Sequence, residues 1–523
     1  MPTSVTGLVP DTDPQRLLAA ETATFETKQR IGAIFRPTSL EEVRQCVRDA
    51  NRGGWALYPV SSGKNWGYGS RVPTAENCAL LDLGAMNRIL DFNEKLGYVT
   101  VEPGVTQRQL YAFLKDRKSR LWMDATGSSP ECSLIGNAVE RGFGHTPYGD
   151  HFGNVCGLEV VLADGEVLRT GFSGLPGARA AEVYKWGVGP SLDGLFSQSN
   201  LGIVTRMTIW LMPAPEYFQA YFFRLSEEET LGDVIEALRP LRMSGTLRST
   251  VHIVNDYKTL NGIQQFPQGE PLPLSPEAMQ AYRKRLGFGR WNGAGGLYGT
   301  RRQVAEARRL LRAALRGRAA KLQFLDERTL RLASHFRTPY RMLTGLDLSR
   351  SLALLRPVFG LMKGIPTDAP MASAYWRKKT EAPTDADPDR DRCGLIWYAP
   401  VAPAEGNCVE EMTEVSERTL LEHGFEPMIS LTLITERSVA AVISIAYDRD
   451  VPGEDARAMA CFRDLETRLT GRGFYPYRLG IQSMGLSDAD PVRRNFLAAI
   501  RKALDPNGVL APGRYISDPG CKR

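Results

Sequence analysis

Pro59-Val60-Ser61-Ser62-Gly63-Lys64-Asn65-Trp66-Gly67-Tyr68-Gly69 is the stretch on which the reading of this chain turns. Its glycines allow a tight backbone path, so that consecutive N–H groups can converge on one point, and Ser61 and Ser62 add hydroxyl donors. Such a curl suits a pyrophosphate, with Asn65 free to fix the loop to itself. It is neither a P-loop, because Gly-x-x-x-x-Gly-Lys-Ser/Thr is absent, nor a Gly-x-Gly-x-x-Gly dinucleotide fingerprint. Taken alone it is as compatible with a structural turn as with a nucleotide site.

Upstream, an apolar run ends at Ile34-Phe35, and Thr38 or Ser39 can cap a helix over Leu40 to Arg52 with Val43, Val47 and Ala50 on one face. Trp55 to Val60 reads as a buried strand running into the loop. A parallel strand-helix-strand unit followed by a glycine loop is a common way to build a nucleotide site. Downstream come strands at 79–83 and 98–102, a helix from Gln107 to Lys115, and a hairpin around Asp164-Gly165. A second glycine-rich cluster runs from Gly127-Ser128-Ser129 through Gly136-Asn137 to Gly142-Phe143-Gly144-His145-Thr146-Pro147-Tyr148-Gly149-Asp150. Two such segments in one domain, each beside a strand, suit an extended dinucleotide better than two unrelated turns.

The chain of 523 residues is long enough for two domains of unequal size. Its 43% hydrophobic and 24% charged residues are those of a globular protein. A net charge of +6 without a Lys/Arg run excludes nucleic acid as the expected partner, and the Arg-rich stretch 301–321 reads as a helix with a solvated basic face. The eight cysteines form no Cys-x-x-Cys pair and no Cys/His cluster with zinc spacing, so no metal is expected. Scattered cysteines, a polar N-terminus without a signal-peptide pattern, and no apolar run of the ~20 residues that span a bilayer predict a soluble, cytoplasmic protein with no membrane contact. After Pro215 strands alternate with longer helices, which predicts a second domain of antiparallel sheet and helices.

Together these segments resemble the vanillyl-alcohol oxidase and 4-cresol dehydrogenase (p-cresol methylhydroxylase, PCMH) flavoprotein family. The matching stretches are 59–69, 136–142, 146–151, 157–163, Gly194-Leu195-Phe196-Ser197-Gln198-Ser199-Asn200-Leu201-Gly202-Ile203-Val204-Thr205, and Asp505-Pro506-Asn507-Gly508-Val509-Leu510-Ala511-Pro512-Gly513-Arg514. The central region matches more loosely, chiefly at Trp397-Tyr398-Ala399-Pro400-Val401 and Tyr475-Pro476-Tyr477-Arg478. The resemblance implies an α+β, two-domain PCMH-type FAD-binding fold: residues 1–215 as the FAD-binding domain, 216–476 as a cap domain of antiparallel sheet and helices that binds substrate, and 477–523 as a return to the first domain. It implies FAD contacts at Pro59, Val60, Ser61, Ser62, Gly63, Lys64, Asn65 and Tyr68, at Pro103, and at Thr126, Gly127, Ser128, Cys132, Ser133, Gly136 and Asn137. Further contacts are implied at Gly144, His145, Tyr148 and Gly149, at Gly157, Glu159 and Val160, at Gly202, Ile203 and Val204, and at Arg478 and Arg514.

In family members that oxidise para-substituted phenols, two tyrosines and an arginine hold the phenolate oxygen; the matching positions are Tyr68, Tyr477 and Arg478. Two phenolic donors and a guanidinium stabilise the anion, from which a hydride leaves the para carbon more readily. The implied function is an FAD-dependent oxidase or dehydrogenase that transfers this hydride to flavin N5 by way of a quinone methide. Its partners would be a small aromatic substrate and O2, a cytochrome or another electron acceptor, in a homo-oligomer. The alternatives are a flavin enzyme of the same fold acting on a non-phenolic hydroxy acid or natural-product intermediate, and a noncatalytic binding protein without flavin.

Two features depart from the family pattern. Relatives bond FAD covalently through a His or Tyr of the cap, or through a Cys and a His together. Here the corresponding stretches are Gly394-Leu395-Ile396, Asp385 to Arg392, and Ser61-Ser62-Gly63-Lys64, without His or Tyr. FAD is therefore expected to be noncovalent, with His252, His335, His423 and Cys393 as outside positions for a bond. The carboxylate that some relatives place near flavin N5 is replaced by Thr126 or Gly127, with Asp124 and Glu131 nearby.

Overall fold

The structure, a computed structural model, describes residues 7–335 and 348–517. Besides the short antiparallel pair of Leu121–Trp122 with Met212–Pro213, the described residues form two sheets early in the chain and one large sheet in the middle. Ile31–Phe35, Cys78–Asp82 and Leu57–Val60 form a parallel sheet in that order. The helix Leu40–Gly53 crosses between the outer two, capped by Ser39, whose Oγ accepts the Glu42 N–H at 3.3 Å. The strand-helix-strand unit read from sequence is thus present, but its strands are not neighbours. Cys78–Asp82, apolar on both sides through Leu80 and Leu81, takes the central, most buried place between them.

The second sheet is antiparallel and runs Ile89–Asn93, Tyr98–Val101, Ile203–Trp210, Val155–Val161, Val167–Arg169. The last pair is the hairpin expected around Asp164-Gly165. The third sheet has eight strands. Its main path is Lys321–Leu325, Tyr217–Leu225, Trp291–Gly299, Val251–Asn255, Met428–Leu433, Ser438–Asp448, Cys393–Tyr398, with Val401–Pro403 pairing Ser438–Asp448 as well. One face of it is packed: Val251, Ile253, Ile429, Leu431, Ile443 and Ile445 meet helices such as Leu231–Met243 and Gly406–Glu422 in the largest core. Alternate residues, His252, Val254, Ser430 and Val442, keep partly open on the other face.

The end of the chain comes back to the first sheet. Leu57 donates its N–H to Val509 O at 2.7 Å, Ala511 donates to Leu57 O at 2.7 Å, and Val509 and Leu510 join the core of Phe35 and Leu81. This return brings Arg514 against the strand that precedes the glycine loop. The seven described cysteines are all free; Cys521 lies outside the described residues. Among the described residues no helix is long and apolar enough to cross a membrane.

Candidate active site

The glycine loop is a scaffold that faces two ways. Gly67, at φ 74°, is pressed against the Trp397 ring, where a Cβ would stand 2.8 Å from the indole. Its N–H goes to Thr24 Oγ1 at 3.0 Å and its carbonyl accepts the Trp397 N–H at 3.2 Å. Among the described residues, the backbone N–H groups of Ser62, Gly63, Lys64 and Asn65 have no protein acceptor, and neither do those of Gly127 and Ser128. The two segments are locked together: Ser62 Oγ accepts the Ser133 N–H at 3.1 Å, and Ser133 Oγ donates to Pro103 O at 2.6 Å. Gly136 packs so closely that a Cβ there would lie 2.6 Å from Ser61 Oγ. Cys132 is buried beside them, its thiol 3.4 Å from Ser128 Oγ.

Asp124 holds the segment from Gly144 to His151. It accepts the N–H groups of His145 at 3.1 Å and Thr146 at 2.7 Å, and its other oxygen meets His151 Nε2 at 2.7 Å. Burial opposes its charge, but these hydrogen bonds outweigh it and keep the carboxyl below its ordinary value. Glu131 pairs with Arg108. Both carboxylates near the expected base position are therefore engaged elsewhere. Tyr148 and Gly149 close the same turn, the Gly144 N–H reaching Gly149 O at 2.9 Å.

Gly157, Glu159 and Val160 lie on the strand Val155–Val161, which pairs with the strand carrying Ile203 and Val204. Val160 packs so tightly on Gly202 that a Cβ there would come within 2.4 Å of it. The Glu159 carboxylate is taken by Arg169 at 2.8 Å and by Thr205 Oγ1 at 3.2 Å.

Tyr68 meets Tyr477 and Arg478, neighbours at the far end of the chain, in space. Tyr477 N–H donates to Ala399 O at 3.0 Å and Val401 N–H to Tyr475 O at 2.9 Å, which hangs 475–478 along the end of the large sheet. Arg478 stacks over the Tyr68 ring at 4.5 Å, and the Trp397 ring meets the same ring edge-on at 5.6 Å. Arg478 Nη2 donates to Asn65 Oδ1, while its Nε, 3.5 Å from Glu140 Oε2, makes no hydrogen bond. Burial pushes both phenols up in pKa. For Tyr68 the neighbouring Tyr477 adds to this; for Tyr477, Arg478 and the Tyr68 hydroxyl pull the other way. Both therefore stay protonated and able to donate.

Glu140, within the stretch 136–142, is the hub. One oxygen takes Arg514; the other accepts Tyr515 OH at 2.7 Å and faces Arg478. Arg514 Nη1 also donates to Tyr58 OH at 2.7 Å. Burial opposes ionisation of Glu140, but Arg514 and Arg478 hold its carboxyl low, and Glu140 in turn helps keep both arginines charged despite burial. Two guanidiniums against one carboxylate leave a net positive charge beside the phenols. No sequence signal joins Glu140 to Arg514, 374 positions away.

His145 and His252 stack face to face at 4.1 Å, and Phe143 lies between His252 and Tyr477, at 6.4 and 5.8 Å. Burial lowers the pKa of both histidines, so they are neutral near pH 7. Of the outside positions for a flavin bond, His423 pairs with Asp464 at 3.0 Å, Cys393 is buried in a core with Trp66 and Tyr375, and the His335 side chain lies outside the described residues. Among the described residues no His/Cys/Asp/Glu group could hold a metal.

A family described as an FAD binding domain matches residues 31–171. The flavoprotein subunit of 4-cresol dehydrogenase (hydroxylating) from Pseudomonas putida is 32% identical over 92% of this chain and 87% of its own length. The chain belongs to the 4-cresol dehydrogenase (p-cresol methylhydroxylase) flavoprotein family. It is an FAD-dependent oxidoreductase of that family, with the PCMH-type fold. The solved structure of 4-ethylphenol oxidase from Gulosibacter chungangensis superposes with a TM-score of 0.88 at 31% identity, covering 98% of this chain and 95% of that one. A further relative, 1'-carboxy-chondrochloren decarboxylase from Chondromyces crocatus, is 48% identical over 96% of this chain and 94% of its own length. The chain fits FAD on its own chemistry: two runs of unpaired amides for phosphates, and a net positive cluster at the other end of the same loop.

Proposed function

We propose that this PCMH-family enzyme removes a hydride from the benzylic carbon of a para-alkylphenol that carries a carboxylate on the next carbon, and releases CO2. The observation that carries the reading is the buried group of Tyr68, Tyr477 and Arg478 with its net positive charge. The amides of Ser62 to Asn65 and of Gly127 and Ser128 would hold the pyrophosphate of FAD, and Arg514, fixed by Glu140 and Tyr58, would face the flavin. Residues 1–215 with 477–523 form the cofactor part and 216–476 the substrate cap. The bound flavin supplies the acceptor for the hydride.

The two tyrosine hydroxyls donate to the substrate oxygen and Arg478 offers the charge, so the phenol binds as phenolate. Loss of a hydride from its benzylic carbon leaves a neutral quinone methide. If the adjacent carbon bears a carboxylate, the electrons of that C–C bond can form the new C=C while the ring regains aromaticity, giving CO2 and a vinyl phenolate. This one route joins the names of two relatives, a 4-cresol dehydrogenase and a carboxy-compound decarboxylase. It also needs no base to activate water, in keeping with the engagement of Asp124, Glu131 and Glu140 elsewhere. O2 or a protein acceptor such as a cytochrome would take up the electrons.

Anaerobic mixing with 3-(4-hydroxyphenyl)propanoate tests this. Bleaching of the oxidised flavin with release of CO2 and 4-vinylphenol is expected. A bleached flavin with the hydroxylated acid as product would replace decarboxylation by hydration, and no bleaching by any para-alkylphenol would remove the phenol reading altogether.

A further inference from the structure

Lys258 sits in the first turn of the helix Asp256–Ile263, which follows directly from the strand Val251–Asn255 of the large sheet. Among the described residues its Nζ reaches only two neutral oxygens, Asn261 Oδ1 at 3.2 Å and Ser373 Oγ at 3.4 Å. No carboxylate pairs with it among the described residues. The nearest acid in sequence, Asp256, is claimed by Arg283. Burial with no compensating charge pulls its ammonium down to about 8. Lys258 is half-buried, and an ammonium that has lost part of its water without gaining a counter-ion is costly to hold unless an anion arrives to pair with it.

Its position points to the substrate side of the sheet. Ser373 belongs to the segment Ala369–Tyr375, and the next two residues, Ala374 and Tyr375, pack with Trp66, Leu395 and Trp397. Trp397 is the ring that meets Tyr68. The same segment is tied down by Asn261, which donates to Ser373 O at 2.9 Å. The strand leading to Lys258 lies three strands from the one that carries Trp397, through Met428–Leu433 and Ser438–Asp448. At about 4.8 Å per step the two backbones stand about 14 Å apart. Tyr477 and Arg478 hang just past the end of the strand that carries Trp397, where Ala399 O accepts the Tyr477 N–H.

We propose that Lys258, with Asn261 and Ser373, is the subsite for a carboxylate of the substrate, at the end opposite the phenolate group. This rests on the phenol reading above for what occupies the other end. The ligand class is a para-hydroxyphenyl alkanoate, gripped as an anion at both ends. The subsite would select the acid over neutral alkylphenols and fix the carboxylate on one side of the benzylic carbon.

The test is equilibrium binding of 3-(4-hydroxyphenyl)propanoate and its primary amide to the reduced holoenzyme, which cannot accept a hydride and so leaves both ligands unreacted. Wild type is expected to bind the acid at least about tenfold more tightly than the amide. Lys258→Met should erase that preference by weakening the acid alone, and Lys258→Arg should retain it. Equal binding of acid and amide by wild type overturns the proposal without need of a variant, as does a Lys258→Met or Lys258→Gln protein that keeps the preference. Bleaching of the oxidised holoenzyme is read separately. If neither compound bleaches it, the phenol reading fails, while the acid-over-amide comparison still decides the role of Lys258.

Discussion

The guanidinium of Arg478 lies 4.5 Å from the centroid of the Tyr68 ring, so the cation and a phenolic donor approach the same space from adjoining directions. The ring holds the cation in place as well as presenting its own hydroxyl.

Tyr68→Phe separates those two roles. The ring, its stacking on Arg478 and its contact with Trp397 remain, and only the donor is lost. Turnover of para-alkylphenols is expected to fall about a hundredfold, as for loss of one oxyanion donor, with flavin content unchanged. A stopped-flow series of flavin reduction rates checks it; a variant as fast as wild type would take Tyr68 out of phenolate binding.

Glu140→Gln removes the anion shared by Arg478 and Arg514. Breaking a buried pair by deleting one partner costs about 3–5 kcal/mol, and here two guanidiniums are left facing each other. Denaturant unfolding at neutral pH should register a loss of that order.

The same residue gives a pH dependence with a definite sign. The folded carboxyl is held below its ordinary 4.5, so its contribution is complete above that value and is lost as pH falls through the lower, folded value. Wild type should lose stability with acid in that window more steeply than Glu140→Gln. Parallel unfolding curves for the two proteins below pH 4.5 would contradict the assignment.

Gly136→Ala places a methyl 2.6 Å from Ser61 Oγ, which must turn away from its place between the two glycine segments. FAD affinity of the reconstituted apoprotein should drop by about tenfold or more. Gly194→Ala, with nothing within 4 Å of its Cβ, is the control and should bind as wild type.

The flavin is expected to be noncovalent, because Gly394 to Ile396 and Asp385 to Arg392 offer no His or Tyr, and the nearby Tyr375 hydroxyl is committed to Asp391 at 2.5 Å. Denaturation in SDS followed by filtration should leave a colourless polypeptide; a yellow band retained on the gel would disprove it.

Much of the nucleotide half was legible because its signals are local. Ser39 before Glu41-Glu42 marks a helix start, and Asp164-Gly165 marks a hairpin, whatever surrounds them. The order of the first sheet was not legible, since Cys78–Asp82 enters between two strands that the sequence joins by one helix. Sheet order depends on which strand buries best on both faces, a property of the assembled layer. The proposed substrate group was legible only through family resemblance, and its counter-ion was missed: Glu140 looks like any acid at the end of a short helix until the return of the chain brings Arg514 and Tyr515 to it.

By itself the sequence determined the helix caps and the hairpin, because capping and turn residues act on the backbone within a few positions of themselves, and through its family resemblance it gave the class of cofactor. Tertiary structure alone decided the electrostatics of the site. Whether a buried arginine, glutamate or lysine is paired depends on charges hundreds of residues away. Only the folded chain makes Glu140 the shared partner of two arginines and leaves Lys258 without a carboxylate among the described residues.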